Sequence, residues 1–321
     1  MAASQGMSGY WEEQRYALRF QLSDLTLARI ELPILAHACS LDEIRSGVRP
    51  ERPPSLPSSC RGFLIRSSPG NGSERTVERQ GDYVVYTMDS YERCFLTFDG
   101  TFADYQSKFS SKTRNSLNRK LRKFQQANDG VLRIGRYATP DELLQFHAHA
   151  RRLSAQTYQE RLLDAGLPAD DEFVANMRSA AARNAVRAFL LFLRDRPVAY
   201  LYCPVERRTI SYAYLGFDPS VAQLSPGTVL LWLSLESLFD EAEFTHFDFT
   251  EGDSPQKRLF STASIPCHNA MFLRSDLRNQ LLVRAHHGMD ELSRRAGKML
   301  EHAGIKKRLK RLLRGPARLR R

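Results

Sequence analysis

The chain lacks the features that mark membrane-spanning, disulfide-rich and zinc-binding proteins. No apolar run approaches the roughly 20 residues that a membrane-spanning helix needs, and the first residues, MAASQGMSGYWEEQRY, have no basic stretch followed by an apolar one. The scattered cysteines and histidines form no C-x-x-C pair and have no carboxylate partners at ligand spacing. We therefore expect a cytoplasmic protein without a metal and with five reduced cysteines: Cys39, Cys60, Cys94, Cys203 and Cys267.

Positive charge, in contrast, is abundant and unevenly placed. The chain has 321 residues and a net charge of +11, and the segment from Arg294 to Arg321 holds twelve basic residues and one acidic residue. The rest of the chain is therefore neutral, apart from a local basic cluster between Lys108 and Lys123. Such clusters attract phosphates, anionic lipids or nucleic acid, although a solvated helix face is an equally good interpretation of the second one.

The hydrophobic pattern predicts an α/β protein. Hydrophobic residues make up 42% of the chain, enough for a sizeable core. The first hundred residues predict strands around the proline-rich GVRPERPPSLPSS, and TFADYQSKFSSKTRNSLNRKLRKFQQAN predicts one long amphipathic helix. From Val131 the predicted order is β-α-α-β-β-β-α-β-α-β, with an antiparallel meander in the middle.

This order and two motifs resemble the GNAT acyltransferase superfamily. SPGTVLL, followed about twenty residues later by DFTEGDSPQKRLFST, is similar to a bacterial group linked to cellulose and other exopolysaccharide synthesis. Fem-type peptidyltransferases share the architecture. The resemblance implies a mixed, mostly antiparallel sheet with helices on both faces in residues 101–275. A smaller β-rich region, 1–100, would precede it, and a basic C-terminal helix, 276–321, would follow.

The resemblance also implies acyl-CoA as the donor, and a helix start suits its pyrophosphate. Unpaired N–H groups and the helix dipole favour anions there, and Ser225, Pro226, Gly227 and Thr228 begin a predicted helix. A plain helix start with a first-turn proline is the competing interpretation. Arg114, in the basic cluster, is a further candidate for the anionic cofactor.

Five residues are candidates for the chemistry. Alternation along EFTHFDF places Asp248 at the end of a strand, facing outward or into a cleft together with His246. Asp248 or Glu251 could accept the proton of the attacking amine, and Tyr212 or Tyr214, predicted to share a strand face, could protonate the thiolate. Lys257 could bind a phosphate or carboxylate, or neutralise Asp248. Gln256 stands where the resembling group has an aromatic residue.

Three functions follow as hypotheses. The first is N-acyl transfer from acyl-CoA to an amine of a cell-envelope sugar or precursor, with residues 305–321 docking the chain on the anionic inner membrane surface. The second is Fem-like transfer from an aminoacyl-tRNA, the one case in which we expect nucleic acid as a partner. The third is a non-catalytic module that binds membrane or nucleic acid.

Overall fold

The computed structural model describes residues 11–22, 25–70, 75–156 and 166–302, so the basic segment 305–321 lies outside the described residues. These residues form two compact units. The central unit contains residues 91–265, and the terminal unit contains the described residues from 11 to 90 and from 266 to 302. The C-terminal helix, expected to stand apart as 276–321, thus belongs with the N-terminal strands.

The terminal unit is a β-sheet with a long helix packed on it. Strands β1 (Glu12–Leu22), β2 (Leu25–Ala38) and β3 (Gly62–Pro69) pair in that order, and the N-terminal part of β5 (Tyr83–Thr97) pairs with β4 (Thr76–Gln80). β2 and β3 run parallel, joined through α1 (Leu41–Ser46) and the irregular proline-rich segment. Helix α8 (Leu277–His302) packs on β1 and β4.

The central unit has the mixed, mostly antiparallel sheet that the sequence predicts. Its strands are ordered β5, β11, β9, β8, β7, β6, and β10 pairs with β8. Their bounds are β6 Arg133–Tyr137, β7 Val186–Leu193, β8 Arg196–Glu206, β9 Thr209–Ser211, β10 Tyr214–Phe217 and β11 His246–Asp248. Strand β12 (Ala263–Arg274) begins in this unit, and its residues from 266 onward belong to the terminal unit. Within this order β9 and β11 are parallel, and the other described pairs are antiparallel.

Helices cover both faces of this sheet because its strands are apolar on both sides. In β7, Phe189 and Leu191 join one buried cluster while Ala188 and Leu190 join the other. Helices α4 (Pro140–Ser154) and α5 (Asp171–Ala182) cover the second cluster. The first cluster is covered by α2 (Phe102–Ser107), α3 (Ser111–Ala127), α6 (Pro226–Glu241) and α7 (Pro255–Phe260).

Two predicted elements differ in the structure. The long helix from Thr101 is divided into α2 and α3, because the Ser110 hydroxyl accepts the Thr113 N–H and begins a new helix. The expected strand TISYAYLGF is likewise divided into β9 and β10 by two residues without strand pairing. DYVVYTM and RCFLTFDG, expected as two strands, contribute to the single strand β5.

Candidate active site

Two parallel strands separate at the centre of the sheet. β9 and β11 pair over three residues, ending at Ser211 and Asp248, and the Tyr212 N–H then donates to the Asp248 carbonyl at 2.8 Å. Beyond this point β10 pairs with β8 and, in the described part of the chain, with no other strand. A gap therefore opens at the carboxyl ends of two parallel strands, where open α/β sheets bind ligands.

A β-bulge produces this separation. The pairing register of β8 with β9 differs by one residue from its register with β10, so one extra residue lies between Ile210 and Tyr214. Ala213 and Tyr214 consequently both face the second apolar cluster, whereas Tyr212 faces the first. The prediction that Tyr212 and Tyr214 share one face was wrong, because strict alternation does not continue through a bulge.

The edge of β10 presents unpaired backbone donors to the gap. The Asp218 N–H donates to the Val198 carbonyl of β8 at 2.9 Å, and residues of an antiparallel pair bond across the ladder alternately. The N–H groups of Leu215 and Phe217 therefore point away from β8. These donors are suited to an extended ligand that lies along the strand and carries amide carbonyl groups.

The first turn of α6 lies against this same strand. Ser225 adopts a left-handed conformation, and its carbonyl accepts the N–H groups of Thr228 and Val229 at 3.0 and 3.1 Å. A Cβ on Gly227 would lie 3.2 Å from Leu215 Cδ2 and 3.3 Å from a carbon of Phe217, so the glycine permits the close approach of helix and strand. Pro226 and Gly227 are buried, while Ser225 and Thr228 are half-buried.

Asp248 is buried and bound, not outward-facing as the sequence suggested. The Arg93 guanidinium donates to both carboxylate oxygens, from Nε at 2.9 Å and from Nη2 at 2.6 Å, and the Thr250 N–H donates to Oδ1 at 2.8 Å. Only 3% of Asp248 and 8% of Arg93 are exposed. Burial disfavours the charged guanidinium, but the Asp248 carboxylate outweighs it and raises the pKa of Arg93. The neighbouring His246 is buried as well.

The loop after β11 is fixed by its own side chains. Thr250 has a left-handed φ of 60°, which is unusual for a β-branched residue, and its hydroxyl donates to the Tyr212 carbonyl at 3.1 Å. Lys257 Nζ donates to the carbonyls of Glu251 and Gly252 at 2.6 and 3.3 Å and reaches that of Thr250 at 3.5 Å. Burial and the nearby Arg93 cation lower the pKa of Lys257.

Tyr212 lies on the opposite face of the sheet from the Asp248 carboxylate. Its ring packs near Phe247 and Phe249, with centroids 6.3 and 6.0 Å away. Burial raises the pKa of Tyr212, so its phenol stays protonated at neutral pH. Glu251 is half-buried on the loop that follows Asp248. The structure thus gathers Asp248, Glu251 and Lys257 around the loop between β11 and α7, but it separates the side chain of Tyr212 from that of Asp248.

Arg114 is distant from the start of α6. Its guanidinium donates to the carbonyls of Phe109 and Ser107 at 2.9 and 3.4 Å, between α2 and α3. Farther along α3, Lys123 donates to the carbonyl of Gln223, two residues before Ser225, at 3.0 Å. Nine residues separate Arg114 from Lys123, about 13 Å along the helix axis.

A polar cavity of about 560 Å³ lies on the β5 side of β11. The Cys94 carbonyl accepts the Phe249 N–H at 3.1 Å, which joins this side to the end of β11. In the described residues, no group of histidine, cysteine and carboxylate side chains could hold a metal ion. The side chains that line the cavity are mostly polar: Glu92, Cys94, Arg258, Ser261, Thr262, Ala263 and Ser264.

Sequence reasoning missed Arg93, the bulge and Thr250. An arginine inside the apolar strand YERCFLTF was a visible signal for a buried ion pair. No signal in the sequence distinguishes the bulge at Ala213 from an uninterrupted strand. The sequence did not indicate the positive φ of Thr250 either, because glycine and asparagine are the residues that usually adopt this conformation.

Residues 111–258 match the family described as acetyltransferase (GNAT) domain. The matched segment runs from the start of α3 to α7 and includes the bulge, the gap and the first turn of α6. No curated protein matches the chain. No helix in the described part of the chain combines the length and apolarity needed to cross a membrane.

Solved structures give weaker similarities. One is the C-terminal domain of a putative lysylphosphatidylglycerol synthetase from Agrobacterium fabrum, with 10% identity and a TM-score of 0.41 over 62% of this chain and 66% of that one. L-PGS from Bacillus licheniformis has 12% identity and a TM-score of 0.45, covering 84% and 87%. FemX has 11% identity and a TM-score of 0.46, covering 85% and 90%. At these values the similarities carry no weight for the function.

The fold of the central unit and the family match agree with each other. The mixed sheet and its helices on both faces are those that the sequence predicts, as is the order of elements from β6 to β12 apart from the division into β9 and β10, and the matched family is one of acetyltransferases. Residues 111–258 form a GNAT-like acyltransferase domain, and the chain that carries it is a transferase.

Proposed function

We propose that the chain is an N-acyltransferase that moves an acyl group from acyl-CoA to an amine. The gap between β10 and β11 carries this proposal. It combines an edge of free N–H groups at Leu215 and Phe217 with a helix start at Gly227, in contact with the same strand. A thioester donor has this pattern: an extended arm with amide carbonyls, followed by a pyrophosphate that suits a helix N-terminus.

In this proposal the amide carbonyls of the donor arm accept the N–H groups of Leu215 and Phe217. The pyrophosphate lies at the first turn of α6, where the helix dipole favours an anion. Arg114 caps the junction of α2 and α3, so its contribution to donor binding is limited to long-range attraction.

The proposed chemistry uses the two sides of the gap differently. The neutral phenol of Tyr212 protonates the departing thiolate, and Glu251 accepts the proton of the attacking amine. Asp248 and Lys257 act through the loop: Asp248 holds Thr250 and Lys257 holds the carbonyls of Glu251 and Gly252. We therefore assign these two residues the role of positioning Glu251.

The acceptor that we propose is an amine-bearing cell-envelope sugar or precursor. The motifs SPGTVLL and DFTEGDSPQK support this class, and Gln256 is where the acceptor would differ from that of the resembling group. The hydroxyl-rich cavity beside β11 is a suitable place for a sugar, since serine and threonine side chains line it. Through its basic segment, residues 305–321, the chain would meet the anionic membrane surface that carries such precursors.

Binding of CoA tests the donor site directly. At a hundred times its Kd, a ligand adds about 2.7 kcal/mol to stability, which corresponds to roughly 5–10 °C in Tm. Leu215→Pro should abolish this shift, because proline lacks the N–H that faces the gap. The pairing of β10 with β8 should be kept, since that N–H makes no bond to β8. Gly227→Ala should weaken the shift by crowding Leu215 and Phe217, whereas Gly288→Ala is a matched control with open space around its Cβ.

The contrary results are equally clear. An unchanged Tm of the wild type with CoA and acetyl-CoA would refute the proposed donor, and a full shift in Leu215→Pro would refute the proposed place of the donor.

For the membrane contact, sedimentation with anionic vesicles should be lost on deletion of residues 305–321. Undiminished sedimentation after that deletion would refute the contact.

A further inference from the structure

Helix α3 carries cations that the proposed donor and acceptor sites leave unused. It contains six basic residues and no carboxylate. Two of them are bound within the fold, since Arg114 donates to the Phe109 carbonyl and Lys123 to the Gln223 carbonyl. In the part of the chain that the structure describes, no ion pair involves the remaining four: Lys112, Arg119, Lys120 and Arg122.

This concentration of like charge opposes helix formation. Arg119 is followed by cations three and four residues later, and each such pair destabilises a helix by about 0.2–0.5 kcal/mol. A helix that only needed to be soluble would be more stable with carboxylates interspersed. The arrangement is therefore suited to an external anion that neutralises it.

The free cations form one surface. At 3.6 residues per turn, Lys112, Arg119 and Arg122 fall within about 80° of one another, opposite the buried Leu117 and Phe124. They are spaced about 10 and 4.5 Å apart along the helix axis. A row of this kind matches a ligand with repeated negative charges.

The uncharged residues of the same face indicate which polyanion fits. Its exposed neighbours include Asn115, Asn118 and Gln126, which donate to phosphate oxygens as lysine and arginine do. The three large apolar residues of α3 face the core: Leu117 and Phe124 are buried and Leu121 is half-buried against the same cluster, so the proposed face has nothing to insert into a lipid surface. It also has no exposed aromatic ring on which single-stranded bases could stack.

We propose that the solvent face of α3, around Lys112, Arg119 and Arg122, docks the phosphodiester backbone of a nucleic-acid duplex. Backbone contacts of this kind depend on charge and carry no sequence preference. The docking surface is independent of acyl transfer, so its test does not depend on the donor proposed above.

The test is the salt dependence of binding to fluorescent 20-base-pair duplexes, one of RNA and one of DNA, measured by anisotropy with the full chain. Each lost phosphate contact reduces the slope of log K against log salt by about 0.9. The variant Lys112→Gln/Arg119→Gln/Arg122→Gln should therefore lose roughly 2–3 from the slope between 50 and 200 mM KCl, with an unchanged or higher Tm. Binding of either duplex through α3 supports the proposal.

Two further variants isolate the surface. The α4/α5 variant, Arg152→Gln/Arg178→Gln/Arg183→Gln, removes three exposed cations from α4, from α5 and from the residue that ends α5, and it should keep the wild-type slope. Arg119→Lys/Arg122→Lys keeps the charge and should also keep the slope. If these arginines acted through packing, the lysine variant would lose slope as the α3 variant does.

Several results would overturn the proposal. These are a wild type that binds neither duplex, an equal loss of slope in the α3 and the α4/α5 variants, and a loss of slope in the lysine variant equal to that of the α3 variant. It would also fail if the α3 variant lost sedimentation with phosphatidylglycerol vesicles but kept duplex binding, because the surface would then meet a membrane.

Discussion

Replacing Asp248 by asparagine should destabilise the central unit severely. The carboxylate accepts two bonds from Arg93 and one from the Thr250 N–H, and both charged partners are buried. Asparagine retains an oxygen for the Thr250 N–H but leaves the Arg93 cation without its counter-charge. Removing one member of a buried pair costs about 3–5 kcal/mol, so we expect a loss of that size.

The ion pair supplies its own control and a double-mutant cycle. Arg133 and Asp195 form another pair, with Nη1 and Oδ1 2.9 Å apart, but the two side chains are 55% and 97% exposed. Asp195→Asn should therefore leave the stability unchanged. The double variant Arg93→Met/Asp248→Asn should lose about 2–3 kcal/mol less than the sum of its single changes, because no unpaired charge stays buried.

Urea unfolding at pH 7, followed by tryptophan fluorescence, measures these effects in the central unit. Trp232 packs against Phe102 and Phe260 in the central unit, so its fluorescence in a Trp11→Phe background reports that unit. An Asp248→Asn protein that unfolds at the midpoint of Asp195→Asn would refute the reasoning. It would show that the ion pair between Asp248 and Arg93 does not stabilise the fold, and Asp248 would again be a candidate base.

Three other changes test separate parts of the structure. The close approach of the buried His37, whose Nε2 lies 3.2 Å from Glu43 Oε1, lowers the pKa of Glu43 from 4.5 to about 2. Its stabilisation is therefore fully present above pH 4.5 and disappears as the pH falls towards 2. Glu43→Gln should thus cost about 1–2 kcal/mol at pH 6, after allowance for solvent screening, and only about a quarter of that at pH 2.5. A shift of the urea midpoint that does not change with pH would contradict this. Ser110→Ala should cost about 1 kcal/mol by removing the cap of α3, whereas Ser116→Ala, within that helix, should not destabilise the protein, and equal midpoints would show that the cap does nothing. Tyr212→Phe should lower kcat by about 100-fold with an unchanged CoA-induced Tm shift if the phenol protonates the thiolate, and a wild-type kcat would exclude this role.

The sequence predicted the elements of the central unit well where periodicity was strong. Two apolar runs on either side of DRP predicted strands β7 and β8 and the turn between them. The residues Thr139, Pro140 and Glu142 predicted the start of α4, and the helix begins there. The division of the long helix at Ser110 was missed, because the apolar period continues almost undisturbed from α2 into α3. The break depends on a single hydroxyl and on where Arg114 reaches.

For the candidate site, the sequence predicted the local elements better than the contacts between them. Ser225 to Thr228 do begin a helix, and that helix contacts the strand at the gap, as a phosphate site there would require. Asp248 does end a strand, but its burial depends on Arg93, which lies 155 residues away in the sequence. No local pattern could specify that partner.

By itself, the sequence determined which segments are apolar on two sides, where helices begin, and how charge is distributed along the chain. Local propensity and periodicity suffice for these properties, since each depends on neighbours within a few residues. Tertiary structure alone decided that Ala213 bulges, that β10 leaves β11, and that Asp248 is neutralised by Arg93. These features depend on strand registers and on contacts between distant residues, which are fixed only when the sheet assembles.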